Sequence, residues 1–204
     1  MAEAFKQYWY LILALVLLVI LTLWVIKKAA LASQKYHGER QRQMEKLEYE
    51  AGVLKDFAAL SEEKLKAADK KRAFDGVAMN IQKALEKQPN MDSAFAALPE
   101  AQRRIYALYY LAEDSRDGLS EFFKCNSAPL TPVARDAVRE LLPQNAVETF
   151  EKEYNAYDPE DEVTSLIKGE IDENDRTYAE AMENFDFYTA CVDYIIKNLP
   201  SFQN

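Results

Sequence analysis

The residue types that most often carry catalysis or bind transition metals are scarce in this 204-residue chain. It contains one histidine, His37, and two cysteines, Cys125 and Cys191. His37 lies shortly after an apolar amino-terminal run. Because it is the only histidine, the following domain has none for a Ser-His-Asp or Cys-His catalytic site or for a histidine-containing zinc site. Five glycines are scattered singly, so no phosphate-binding loop is present. We expect two buried thiols in a reducing compartment, with a single disulfide in an exported domain as the alternative.

Carboxylates are the chemical groups in which the chain is richest. Residues 1–112 carry 17 basic and 13 acidic side chains, whereas residues 113–204 carry 8 basic and 21 acidic ones. Such an imbalance favours solubility or binding to a basic partner. The candidate acidic partner surface comprises Asp158, Glu160, Asp161, Glu162, Glu170, Asp172, Glu173 and Asp175. The sequence gives no pair of these acids a reason to be buried for acid–base work. We therefore expect a non-enzymatic protein without cofactor or metal, and a carboxylate-dependent hydrolase is the alternative.

One acidic segment has some of the spacing of a calcium loop. Asp172 and Glu183 occupy the first and last ligand positions, but Arg176 and Thr177 stand where a ligand and a turn glycine are needed. We predict instead that Asp172 caps a helix and that Asp175 adds favourable charge to its first turn.

Residues 117–127 form the most distinctive local motif. It begins with the turn dipeptide Asp117-Gly118 and continues with two adjacent aromatic residues, Phe122 and Phe123. Two small polar residues, Asn126 and Ser127, end it. Turn dipeptides of this kind permit a tight bend, and small polar side chains close loops by bonding to the backbone. The motif is therefore expected to be structural, with the aromatic pair in the core.

With this motif, residues 75–204 resemble the bacterial DNA-mimic-protein-like family. Asp117, Gly118, Phe123, Asn126 and Ser127 match the family pattern, and the acidic segment 171–178 is also similar. The chain departs from the pattern at Leu119, Phe122 and Lys124. The resemblance implies an all-α fold and an acidic, dimeric protein that imitates DNA phosphates toward a basic protein. It implies no direct binding of nucleic acid.

The amino-terminal element that would position this domain is apolar. Residues 11–26 contain no charge and no helix breaker, and Tyr8, Trp9, Tyr10 and Trp24 flank them with aromatic rings. As a helix, residues 8–26 would span roughly 28 Å, close to the ~30 Å hydrocarbon core of a bilayer. We predict a single transmembrane helix over residues 8–26, preceded by a short tail over 1–7.

Basic residues set the expected orientation of this helix. Six of them follow it within twenty positions, whereas only Lys6 precedes it. The positive-inside rule places residues 27–204 in the cytoplasm, at a bacterial inner membrane. A cleaved signal peptide, with Ala30-Leu31-Ala32 at the cleavage site, and an exported domain are the alternatives.

Helix signals continue to the end of the chain. Residues 27–72 form a basic, proline-free stretch with an apolar stripe, which predicts a helical stalk or, alternatively, a dimerising coiled coil. Pro99, Thr131-Pro132 and Pro143 mark helix starts, and the last helix is expected over about 185–199. A weak strand signal lies over 162–167. Residues 73–204 are thus expected to form a compact acidic all-α domain.

Two functional hypotheses follow. In the first, the protein is a membrane-anchored interaction protein whose acidic helical domain binds a basic protein. In the second, it is a scaffold or toxin-protection component of a bacterial membrane complex, recognised through apolar surface and the stalk.

Overall fold

The computed structural model describes residues 13, 15, 17–19, 21, 22, 24, 27, 28, 40, 41, 43–158 and 163–203. The chain divides into two units, Met1–Glu50 and Ala51–Asn204. The described residues of the first unit are helical, and large apolar side chains among them, such as Leu17, Leu18 and Leu21, are exposed. The remainder of the predicted span 8–26, including Tyr8 to Tyr10, lies outside the described residues. Among those that are described, no helix has the length and apolar character needed to cross a bilayer.

The second unit is all-α, as predicted. Its labelled helices are α1 (Glu62–Ala67), α2 (Lys70–Leu85), α3 (Met91–Ala97), α4 (Glu100–Asp114), α5 (Leu119–Cys125), α6 (Leu130–Leu141), α7 (Gln144–Ala156), α8 (Lys168–Glu183) and α9 (Phe187–Lys197). Residues 51–56 are also helical, and two 3₁₀ turns cover Ser115–Asp117 and Leu199–Phe202. The weak strand signal corresponds to a short antiparallel pair, β1 (Tyr157–Asp158) and β2 (Val163–Thr164).

Helix α4 lies at the centre of this unit. It packs against α2, α5, α6 and α9, and its buried residues accordingly surround most of its axis. Helix α8 packs against α5 and α7. Phe74, Ile105, Phe122, Phe150 and Ile195 are fully buried members of the continuous apolar core.

The compact unit begins earlier than the sequence suggested. Val53, Phe57 and Leu65 are buried in its core, and a Cβ on Gly76 would lie 2.3 Å from the Phe57 ring. The boundary expected at residue 73 is therefore too late, and the stretch from 51 to 72 is part of the compact unit. The predicted apolar stripe does not form this contact with the core, since Met44, Leu47, Ala51 and Ala58 are exposed; the buried residues Val53, Phe57 and Leu65 form it instead.

Local signals predicted some helix bounds correctly and others wrongly, and the last helix, expected over about 185–199, covers Phe187–Lys197. Pro99 and Pro143 directly precede α4 and α7, as predicted. Thr131 lies inside α6 and does not cap it. Asp172 was wrongly predicted to cap α8, which begins four residues earlier at Lys168.

Candidate functional site

The turn at Gly118 brings the motif of residues 117–127 against the acidic helix α8. The Ser120 backbone N–H donates to Asp175 Oδ1 at 2.8 Å, and Ser120 Oγ donates to Asp175 Oδ2 at 2.9 Å. The carboxylate thus caps the first turn of α5 from a neighbouring helix, where a negative charge is favourable. Gly118 has φ +138°, and a Cβ there would lie 2.4 Å from Asp175 Oδ2. Only glycine fits both the backbone angle and the close approach.

The rest of the motif is structural, as the sequence indicated. Phe122 and Phe123 are buried, with their ring centroids 6.1 and 5.0 Å from that of Phe150. Asn126 Nδ2 donates to Asp114 Oδ2 and to the Phe122 carbonyl, both at 2.8 Å. The Ser127 side chain is exposed, and the backbone carbonyl of Ser127 accepts the first backbone hydrogen bonds of α6. These residues hold α4, α5 and α6 together and leave Asp117 exposed at the surface.

Beside this turn lies a groove of about 500 Å³, which we call the α8–α9 groove. Its walls come from the end of α4 with the following 3₁₀ turn, the second half of α8, and the start of α9. It is lined by Leu111, Ala112, Ser115, Arg116, Asp117, Gly118, Asp175, Tyr178, Ala179, Met182, Phe185, Asp186, Phe187 and Tyr188. A concave surface with apolar walls and few charged groups is the usual form of a binding site. The sequence pattern gave no sign of it, because its walls come from segments far apart in the chain.

Carboxylates predominate at the rim of the α8–α9 groove. Asp117 is exposed, and within the described part of the chain its side chain has no ion-pair partner. Asp186 is also exposed and caps α9 by accepting from the Thr189 N–H at 3.1 Å. Hydrogen bonds from Thr189 lower the pKa of Asp186. The one lining cation, Arg116, is held by Glu113 in an ion pair.

The predicted acidic partner surface is only partly brought together. Glu170, Asp172 and Glu173 are exposed on α8, and Asp158 is exposed on β1. Glu160, Asp161 and Glu162 lie outside the described residues. Asp175 differs from the prediction, because it is half-buried and bonded to Ser120. It supports the fold and is not available to a partner in the way that Asp172 and Glu173 are.

A buried carboxyl group escaped the sequence analysis. Glu153 of α7 is 1% exposed, and Asn174 Nδ2 of α8 donates to its Oε2 at 3.0 Å and to the Thr149 carbonyl at 3.2 Å. Burial raises the pKa of Glu153. Its burial could have been predicted from its position, because it lies three residues after Phe150 on the apolar face of α7. The pair joins α7 to α8 and does not line the α8–α9 groove.

The two thiols and the potential metal ligands are dispersed. Cys191 is buried, where burial raises its pKa, whereas Cys125 is exposed, so the expectation of two buried thiols was half right. Among the described residues, no three His, Cys, Asp or Glu side chains come together to hold a metal ion.

Comparisons with known proteins give no relative of this chain: no family model, no curated protein and no solved structure matches it.

Proposed function

We propose that this protein is a membrane-anchored, non-enzymatic interaction protein whose acidic helical domain binds a basic protein. The domain would lie on the cytoplasmic side of a bacterial inner membrane, held there by residues 8–26.

The exposed face of α8 is the observation that carries this proposal. Asp172, Glu173 and Glu183 point away from the core, and across the described residues none of the three has an ion-pair partner. Arg176, a cation of the same helix, lies 3.8 Å from Glu180 in an exposed pair. Like charges on one face repel one another, so a partner that presents Lys and Arg would relieve the repulsion.

The buried side of α8 supports the proposal because it fixes this exposed face in place. Asn174 bonds to Glu153 on α7, Asp175 bonds to Ser120 on α5, and Tyr178 is buried. Carboxylates on a helix held at three successive points lose little further conformational freedom when a partner binds. Rows of fixed negative charge are also what DNA offers to a basic protein, so imitation of nucleic-acid charge is included in the proposal.

The proposed anchor accounts for the apolar amino-terminal residues. Leu13, Leu15, Leu17, Leu18 and Leu21 are each about half exposed or more, and such surface in contact with water is unfavourable. A lipid bilayer would cover it. The basic residues from Lys27 to Lys46 would then lie beside anionic lipid headgroups, which attract them.

The test is salt-dependent capture of a partner by the full chain, purified in detergent and immobilised. Captured proteins are compared in 0.1 M and 1 M salt, between which the electrostatic screening length falls from about 10 Å to about 3 Å. We expect a retained basic protein to be lost in 1 M salt and to be displaced by duplex DNA if it is a DNA-binding protein.

A matched pair of triple variants identifies the surface. Asp172→Asn, Glu173→Gln and Glu183→Gln together remove three charges from α8. The control removes three exposed charges elsewhere, by Glu63→Gln, Asp92→Asn and Asp193→Asn. We expect only the α8 variant to lose the partner. Equal loss in both variants would indicate a general charge effect, and retention in 1 M salt would favour the scaffold hypothesis.

A further inference from the structure

The α8–α9 groove is an open apolar depression that the fold leaves unfilled. Met182 and Phe185 are half-buried in its wall, and Phe187 is 8% exposed at its base. Its volume of about 500 Å³ exceeds that of any single side chain and lies in the range of ligand sites, roughly 300–1,000 Å³.

The charges around this groove favour a cationic occupant. Asp117 and Asp186 are exposed at its rim, whereas Arg116 is already paired with Glu113. Asp175 also lines the groove, but its two oxygens accept hydrogen bonds from Ser120. The other cations nearby are also engaged within the chain: Lys71 pairs with Asp75, and Lys70, whose charge acts on Asp186, donates to two backbone carbonyls. An anionic ligand would therefore meet two exposed carboxylates and only cations that are already partly neutralised.

We propose that the α8–α9 groove receives a short segment of a protein partner in which an apolar side chain stands next to a Lys or Arg. The apolar side chain packs against Met182 and Phe185, and the cation pairs with Asp117 or Asp186. The inference rests on the proposed function, because it names the recognition element of the basic partner.

The wall chemistry distinguishes such a segment from a small organic cation. Sites for quaternary ammonium ions enclose the cation among aromatic faces. Here the ring of Tyr188 already has a cation beside it, with Lys71 Nζ 5.1 Å from the ring centroid. The carboxylates lie at the rim and the apolar groups below it, which suits an apolar anchor with its charge toward solvent.

Selection from a random peptide library tests this while the partner is still unidentified. Phage-displayed random peptides are selected on the full chain in detergent, and the recovered sequences are synthesised for affinity measurement. We expect enrichment of sequences in which an aliphatic or aromatic residue lies within two positions of Lys or Arg. Absence of enrichment, or enrichment of acidic sequences, would overturn the proposal.

Two matched pairs of variants locate the bound peptides. Ala179→Trp fills the groove without changing charge, and Ala96→Trp places the same ring on an exposed position of α3. Asp117→Asn removes a rim charge, and Asp92→Asn removes an exposed charge of α3. We expect Ala179→Trp to weaken binding about tenfold or more and Asp117→Asn about threefold, as for loss of a buried anchor and of a rim charge. Both controls should remain within about twofold of the unmodified chain.

The outcomes separate this inference from the proposed function. Binding that is weakened by the α8 triple variant but not by Ala179→Trp leaves the proposed function standing and overturns the groove. The selection could instead recover apolar peptides without Lys or Arg whose binding is blocked by Ala179→Trp. That result would overturn the proposed preference for a cation and count against a basic partner. Benzyltrimethylammonium that binds as tightly as the recovered peptides would identify a small-ligand site instead.

Discussion

The carboxylate of Asp175 lies against the backbone of Gly118, where any side chain would collide with it. Asp175 therefore restricts a position 57 residues earlier in the chain to glycine. Asp175 accepts the hydrogen bonds at the start of α5, and Gly118 leaves the space that this requires. The contact fixes the exposed face of α8 and one wall of the α8–α9 groove.

Gly118→Ala should destabilise the compact unit by about 3 kcal/mol, because alanine is strained at positive φ and its Cβ would displace Asp175. Gly169 is the matched control, since it lies in α8 and a Cβ there has no atom within 4 Å. Gly169→Ala should be stabilising by about 0.5 kcal/mol, because alanine favours helix. Urea unfolding of both variants measures the two effects. Equal effects of the same sign would contradict the structural role of Gly118.

Asp175→Ala should lower the free energy of unfolding by about 1–3 kcal/mol, because it leaves the Ser120 N–H and hydroxyl without their acceptor. Asp172→Ala, an exposed position on the same helix, should change it by less than about 0.5 kcal/mol. A double-mutant cycle with Ser120→Ala checks the cause. A coupling energy near zero between positions 120 and 175 would show that the hydrogen bonds do not account for the loss.

Much of the fold was predictable because its signals are local. Pro99 and Pro143 mark helix starts through effects that involve only a few neighbouring residues. The turn at Gly118 is likewise indicated by its local sequence. The helix class and the buried Phe122 and Phe123 follow in the same way. The start of the compact unit was not predictable, because Phe57 is buried through contact with Gly76, which is remote in sequence.

The candidate site depends on contacts of this remote kind. An acidic run predicts an exposed face, and Asp172 and Glu173 conform to that expectation. Asp175 belongs to the same run, yet the turn of the helix directs it toward Ser120. Nothing within the run distinguishes Asp175 from its neighbours, and the α8–α9 groove is likewise formed by three separated segments.

Glu153 and Glu151 of α7 should respond to pH in opposite directions. Burial raises the pKa of Glu153, so the stability that its protonated form provides is lost as pH rises through the folded-state pKa. Arg135 and Arg139 bond to Glu151 and lower its pKa, so its contribution is present above the unfolded pKa, near 4.5, and is lost as pH falls.

The two glutamine variants measure these opposite contributions. The free energy of unfolding of Glu153→Gln, relative to that of the unmodified chain, should rise by about 1 kcal/mol from pH 4 to pH 7.5, because the variant has no buried charge at this position. The relative free energy of unfolding of Glu151→Gln should fall by about 1 kcal/mol over the same interval, because the variant lacks the charged, two-point hydrogen bond to Arg135. Thermal unfolding at both pH values suffices. Parallel trends in the two variants would contradict the assigned environments.

The apolar amino-terminal segment gives the last prediction. The full chain should sediment with membranes and resist extraction by salt and by alkaline carbonate, whereas a chain lacking residues 1–26 should not. A finer test replaces Leu17 and Leu18 by Arg, since each central Arg costs about 3 kcal/mol of insertion against a total gain of about 4–8 kcal/mol from the apolar run. Arginine at the exposed positions Met44 and Leu47 is the matched control and should leave sedimentation unchanged. Release of the full chain by salt alone would indicate peripheral attachment, and a mature chain that begins near Ser33 would identify the segment as a cleaved signal.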